Sequence, residues 1–190
     1  MKRSIGARTV LYAHPVLIVG TYDRSMRPNA MAVSWGGVCC SLPPCVAISV
    51  QRTRYTYTNL MEQEAFTISI PPAVYIKQAD YFGIASGREV DKFAATGLTP
   101  IKSELVNAPY IEEFPVVLEC KVIHVHDIGL HTQFLGEILD VKIDDAVLGE
   151  DGRPDISKIK PLVFDSPTSS YYGIGQFLAQ AFVAGKELTR

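Results

Sequence analysis

The sequence predicts a mainly β protein, an antiparallel barrel with a few short helices, and three observations carry that expectation. First, Pro115 to Asp127 and His131 to Asp144 flank the tight turn Asp127-Ile128-Gly129-Leu130 and form one long hairpin. Second, the polar rhythm of both arms slips. Glu119 and Lys121 give way to His124 and His126 in the first arm, and Glu137 is followed by Asp140 and Lys142 in the second. A period-two pattern that changes phase implies a β-bulge, and paired bulges coil a hairpin towards a barrel rather than a flat sheet. Third, the remaining apolar runs are short and bounded by Pro, Gly and Ser turns.

Element by element, Val16 to Tyr22 (VLIVGTY) is an apolar strand that ends in the turn Asp23-Arg24-Ser25. Asn29 to Trp35 returns as its hairpin partner, and Gly36-Gly37 breaks the run. After the turn Ser41-Leu42-Pro43-Pro44, Cys45 to Val50 is a buried strand rich in β-branched residues. Tyr55 to Glu64 is compatible with a helix, capped by Thr53 or Thr56. Ala65 to Ile70 is a strand stopped by Pro71-Pro72. Val74 to Ile84 is a helix with Tyr75, Ala79 and Phe82 on one side, and Glu89 to Thr96 is a short one closed by Gly97. Gly149 to Pro154 is a polar loop. From Lys160 the chain is an extended C-terminal arm (about 160–190), with a short amphipathic helix expected over Gln176 to Ala184.

With 190 residues the expectation is a single domain over 1–190. The 47% hydrophobic content excludes a disordered chain, and a formal charge of -2 provides no field for nucleic acid or an anionic membrane. The uncharged stretch Pro28 to Gln51 contains Asn29, Gly36-Gly37 and Pro43-Pro44, which interrupt any helix in lipid. The N-terminal apolar run is short and broken by Pro15, which argues against a signal peptide. Cys39, Cys40, Cys45 and Cys120 lack the paired Cys-x-x-Cys spacing of a zinc site and read as reduced thiols of a soluble, cytoplasmic protein.

Among possible chemical motifs, Gly173-Ile174-Gly175 starts like a dinucleotide fingerprint, but Leu178 stands where the third glycine belongs. His124, His126 and nearby His131 suggest either a metal cluster or, in the preferred reading, a solvated barrel exterior. No metal is expected. His131 stands where the turn meets a strand, fit to cap the turn or to meet a ligand. The junction Gln51-Arg52-Thr53-Arg54-Tyr55-Thr56 combines a helix start, hydroxyls and cations, the parts of a phosphate site.

At these segments the chain resembles the flavin reductase-like family with the FMN-binding split barrel, and within it the flavoredoxin group. The matching pieces are Asn29-Ala30-Met31-Ala32-Val33-Ser34-Trp35, Ser41-Leu42-Pro43-Pro44 leading into Cys45 to Val50, and Arg54-Tyr55-Thr56. They continue with Ser86-Gly87-Arg88, Asp91-Lys92-Phe93, Ala108-Pro109, Glu119-Cys120, His131 to Glu137, Pro161-Leu162 and Tyr172-Gly173.

The resemblance implies an antiparallel Greek-key split barrel, non-covalent FMN and a homodimer with the flavin near the subunit interface. It lays Asn29 to Trp35 along the flavin ring and ribityl chain. Arg52, Thr53 and Arg54 would meet the phosphate, with Thr56 close by and Ser86, Gly87 and Arg88 beside it. Lys92 and His131 are the catalytic candidates: Lys92 as a cation at the N1–C2=O edge, His131 approaching the ring. A solvated helix lysine is the competing reading of Lys92. Trp35 and Phe164 offer apolar surfaces to the ring, and Cys40 is a further candidate there, although a structural thiol is the alternative.

The function so implied is a redox flavoprotein of flavoredoxin type, exchanging electrons with ferredoxin or another electron-transfer protein. An NAD(P)H-dependent flavin or ferric reductase is the alternative within the class. A non-catalytic flavin- or haem-binding module is the alternative from outside it.

Overall fold

The computed structural model describes residues 1–189. Strand β1 (His14–Pro15) leads into β2 (Leu17–Tyr22), β3 (Pro28–Val33), β4 (Gly36–Ser41) and β5 (Pro44–Gln51). Helix α1 (Tyr55–Gln63), β6 (Ala65–Ser69), α2 (Ile76–Ile84) and α3 (Lys92–Thr96) follow. The remaining elements are β7 (Pro100–Lys102), β8 (Pro109–Ile111), β9 (Val116–Ile128), β10 (His131–Ile143), α4 (Ile156–Ile159), β11 (Val163–Asp165) and β12 (Ser170–Tyr172).

Seven strands form one antiparallel sheet in the order β3-β2-β6-β9-β10-β5-β4, a split-barrel arrangement whose edge strands are joined through Ser34-Trp35. The Ser49 amide donates to the Trp35 carbonyl at 2.8 Å, tying that junction to β5. One interior is shared by the whole rolled sheet: Leu17, Val33, Val46, Ile48, Phe66, Ile68, Cys120 and Phe134 pack in a single cluster. A second cluster, with Ile18, Ala30, Ala79, Phe82 and Phe93, seats α2 and α3 on the opposite face of β2 and β3. Every residue of β2 is buried, which is why that segment reads as continuously apolar rather than alternating.

Both phase slips are β-bulges. Leu135 pairs with His124 but Gly136 pairs with Val122, so Ile123 is the extra residue between Lys121 and His124. Ile138 pairs with Cys120 but Asp140 with Glu119, so Leu139 is extra between Glu137 and Asp140. Gly136 is required at the resulting bend, because a Cβ there would press into the Phe66 ring.

Two expectations for the tail need correction. Residues 163–172 turn back as the β11–β12 hairpin, which pairs with β1, so the free arm starts after Tyr172 rather than at Lys160. No helix forms over Gln176 to Ala184. Among the described residues the arm has a turn at 181–183 followed by a 3₁₀ segment at Ala184–Thr189. Phe177, Leu178 and Phe182 are exposed, and a short helix without a surface on which to bury its apolar face is unstable in water.

Candidate functional site

The end of β3 and the start of α1 frame a groove with two unequal parts. The wide part, a cleft of about 440 Å³, lies within the range typical of ligand pockets. It is lined by Met31, Ala32, Val33, Ser34 and Trp35 with Ser49, Val50, Gln51, Arg54, Gly83, His131, Phe164 and Ser166. The narrow part, about 110 Å³, shares Met31, Arg54 and Gly83 with it. Asn29, Thr53, Tyr55, Thr56, Ser86, Gly87 and Lys92 complete the narrow lining.

Three rings, those of Trp35, His131 and Phe164, stand among the polar lining of the wide end. The Trp35 and His131 rings lie 4.7 Å apart at 34°, and Phe164 is a further lining residue. Strand pairing dictates the Trp35–His131 contact. His131 opens β10 opposite Gln51 of β5, while the Trp35 backbone is held by Ser49 of the same strand.

The narrow end is polar and already braced. Asn29 Nδ2 donates to Thr56 Oγ1 at 3.0 Å, and Asn59 Nδ2 donates to Thr21 Oγ1 at 3.0 Å. These bonds orient the Asn29 amide and leave its buried Oδ1 without a protein donor. Gly87 passes so close that a Cβ there would collide with that oxygen, so the loop before α3 needs glycine at this point. Arg54 is the N-cap of α1 but supplies no side-chain cap, which leaves the first N–H groups of the helix available to an anion.

Lys92 is the first residue of α3, a helix capped by Asp91, whose carboxylate accepts from the Ala94 amide at 3.0 Å. Its side chain is buried, with Nζ donating to the carbonyls of Ala30 (2.8 Å) and Phe82 (3.0 Å). An ammonium has three donors, so one remains for the groove. Burial, with the Arg54 charge adding to it, pulls the Lys92 pKa down to about 8.

Sequence reasoning missed the brace behind this end. Tyr55 donates to Asp23 Oδ2 at 2.7 Å, and the guanidinium groups of Arg27 and Arg88 lie 5.9 and 5.4 Å from its ring centre. Arg27 Nη2 reaches the Gly87 carbonyl at 2.7 Å, and Arg88 Nη1 reaches the Thr53 carbonyl at 2.8 Å. Burial alone would raise the Asp23 carboxyl. The bonds from Arg27, Tyr55 and Ser25 and the Arg27 charge outweigh it and hold the pKa below the usual range. The sequence signal was Asp23-x-x-x-Arg27 across a turn, which reads as a plain turn until Tyr55 is placed beside it.

Most of the candidate residues converge on the groove: Asn29, Met31, Ala32, Val33, Ser34, Trp35, Thr53, Arg54, Thr56, Ser86, Gly87, Lys92, His131 and Phe164. Four stand elsewhere. Ala30 is fully buried behind β3 and contributes only its carbonyl to Lys92. Arg88 acts from behind, on Thr53 and Tyr55. Arg52 turns away to Asp127 at 2.8 Å, and Cys40 is exposed at the far end of β4. His124 and His126 stack on each other on the exposed exterior. Among the described residues no cluster of three or more His, Cys, Asp and Glu has a metal-holding arrangement.

A family model for the flavin reductase like domain matches residues 8–172, a span that contains the whole groove. The chain belongs to that family. Among solved structures, flavoredoxin of Desulfovibrio vulgaris (Miyazaki F) is 53% identical, with a TM-score of 0.93 over 97% of this chain and 100% of that one. A flavoredoxin from Methanosarcina acetivorans is 30% identical, again with a TM-score of 0.93, over 99% of both chains. An FMN-binding protein from Thermus thermophilus is 25% identical, with a TM-score of 0.80, over 94% of this chain and 100% of that one. The family's split barrel is thus the fold of this chain, and a flavin-related redox function comes with it.

No helix among the described residues is long and apolar enough to cross a membrane.

Proposed function

We propose that the chain binds FMN non-covalently in the groove and carries electrons through it, as a redox protein of flavoredoxin type. The observation that carries this reading is the buried ammonium of Lys92, anchored on two carbonyls with one donor left for the groove. Beside it stands the orphaned acceptor Asn29 Oδ1, and the wide cleft with Trp35, His131 and Phe164 adjoins them through the shared Met31, Arg54 and Gly83. The flavin ring belongs against Trp35, His131 and Phe164. The ribityl hydroxyls belong at Asn29 and Thr56, and the phosphate at Thr53, Arg54 and the start of α1. Bound FMN supplies a centre that takes up and releases electrons.

Lys92 lines the narrow end beside Asn29 and Thr56, so its positive charge would reach an anionic reduced ring from the ribityl side and raise its potential. His131, stacked at Trp35, presents a polar edge to the same ring. Lys92→Ala lowers the midpoint potential; an unchanged potential with FMN still bound would remove this role from Lys92.

A second reading, an NAD(P)H-dependent flavin or ferric reductase, is favoured by a side cleft of about 290 Å³ that shares Ala32, Ser34, Gly83 and Phe164 with the wide end. It is lined in part by Tyr171, whose hydroxyl donates to Asp80 at 3.0 Å. Burial, followed by that carboxylate, pushes the Tyr171 pKa up to about 12, so it stays a neutral donor at physiological pH. The test is the visible spectrum of the purified protein without oxygen. Bleaching by NADH or NADPH establishes the reductase. A flavin indifferent to both but reduced by ferredoxin establishes the carrier. A protein that binds FMN and exchanges electrons with no donor is a binding module, and one that ignores added FMN overturns the assignment.

We further infer a homodimer, supported by the exposed Ile174, Phe177, Leu178 and Phe182 of the arm, which have no cover on their own chain. Four free thiols support a cytoplasmic location.

A further inference from the structure

The β4–β5 hairpin holds a pair of thiols that the flavin site does not use. Cys40 and Cys45 are directly opposite in the register of the two antiparallel strands. The opposition depends on a bulge: Val38 pairs with Val46 and Cys40 with Cys45, so Cys39 is the unpaired extra residue. Opposite residues of an antiparallel pair have Cα atoms about 4.5–5.5 Å apart and side chains on one face, inside the range a disulfide spans. Both thiols are aimed at the connecting turn, Cys40 Sγ at the Leu42 carbonyl and Cys45 Sγ at the Pro43 carbonyl, each at 3.4 Å.

Exposure divides the labour. Cys40 is open to solvent, whereas Cys45 is only 3% exposed and lies under the hairpin. We propose that Cys40 and Cys45 form a thiol–disulfide exchange site that takes a small-molecule disulfide as its oxidant. The Cys40 thiolate attacks one sulfur of that disulfide, forming a mixed disulfide and releasing the first thiolate. The Cys45 thiolate then attacks the Cys40 sulfur, closing the Cys40–Cys45 bond and releasing the second. The chain loses two electrons and two protons, and the external disulfide gains both as two thiols. Burial raises the Cys45 thiol, with the neighbouring Cys40 and Cys39 thiols adding to it. Conversion of Cys40 to a neutral mixed disulfide removes one of those opposing charges just when Cys45 must ionise.

The bond would link the two strands that lead away from the flavin groove, since β4 follows Trp35 and β5 ends in Ser49 to Gln51. It does not depend on FMN, so its failure and that of the flavin assignment are separable.

The probe is glutathione disulfide, poised against glutathione in graded ratios with the full-length protein. Remaining thiols are then alkylated and the peptides weighed. The expected result is a linked Cys40–Cys45 peptide, alkylated Cys120, and two glutathione molecules released per bond closed. Cys45→Ser should stop at a glutathione adduct on Cys40. Because Cys45 is buried and that variant may not fold, Cys40→Ser, at an exposed site, is the second test: it should leave Cys45 fully alkylatable only after unfolding, with no internal bond. A wild-type protein that stops at glutathione adducts, links Cys39 to Cys45, or keeps all four thiols at every poise overturns the proposal.

Discussion

The two ends of the groove are built on different principles. At the narrow end a hydrogen-bonded brace is in place before any ligand arrives, with Asn29 Oδ1 left over as an acceptor. Asn29, Thr56, Thr21 and Asn59 are joined by hydrogen bonds, and Tyr55 has two guanidinium groups within 6 Å of its ring centre. At the wide end the walls are Trp35, His131 and Phe164, held by strand pairing and ring contact. Pre-formed polar networks give register and selectivity, because a misplaced ligand leaves buried groups unpaired; apolar walls give area and tolerate variation. The narrow end should therefore decide which ligand binds, and the wide end how easily electrons reach it.

The largest effect should come from breaking the narrow network. Asn29→Ala removes the donor to Thr56 and the orphan acceptor together, stranding buried hydroxyls at a cost of about 1–3 kcal/mol in stability. FMN affinity, measured by fluorescence quenching, should fall by one to two powers of ten. If it changes by less than about threefold, the narrow end does not anchor the ligand.

Lys92→Met is next, and its signature is a pH profile. In the folded chain Lys92 loses its proton near pH 8, against 10.5 for an ordinary lysine. FMN affinity of the wild type should be flat below pH 8, fall by about tenfold in all over the next unit or so, and then level off, since the anion favours the charged form. The methionine variant should bind about tenfold more weakly at pH 7 and show no such fall. For the apoprotein the sign reverses. Between pH 8 and 10.5 the unfolded chain holds a proton on this group that the native chain lacks, so stability rises with pH across that window. Below pH 8 both states are protonated and the slope from Lys92 vanishes. Denaturant midpoints of wild type and variant should converge as pH rises; parallel curves would mean that burial does not depress this lysine.

At the wide end, Trp35→Leu keeps an apolar wall but loses the ring contact with His131, a contact worth about 1 kcal/mol. FMN affinity should fall by about fivefold, a smaller loss than at Asn29, while the rate of reduction by an external donor changes more than affinity does. A loss as great as that of Asn29→Ala would erase the distinction between the two ends.

Legibility in the sequence follows a different division. Both bulges were readable from local rhythm, in the slips at His124 and Asp140, whereas the wide wall of Trp35, His131 and Phe164 came only from the family resemblance. The brace of Asp23, Arg27, Tyr55 and Arg88 was not, since it joins segments whose juxtaposition exists only after α1 and the Gly87 loop have docked. The three-residue strands β11 and β12 carry too few positions for a period to appear, and they gain their partner from β1, almost 150 residues earlier. The expected helix at Gln176 failed for the converse reason: its rhythm was present but no surface met it.

Arg52 and Arg54 show how finely this applies. Two residues apart in a polar turn, both have the composition of a phosphate ligand. The register sends Arg52 outward to Asp127, a carboxylate held low first by the hydrogen bond from Thr132 and then by Arg52 itself, while Arg54 lines both parts of the groove. The Arg52–Asp127 pair is more than half exposed on both sides, so it adds little to stability. Arg52→Ala should leave FMN affinity within about twofold and leave the melting temperature almost unmoved. Arg54→Ala, measured beside it, should weaken FMN severalfold, with the loss shrinking as salt is added because a cation facing a phosphate is screened. Equal effects at the two positions would mean that total charge near the turn attracts the ligand, and that the direction in which each side chain points does not matter.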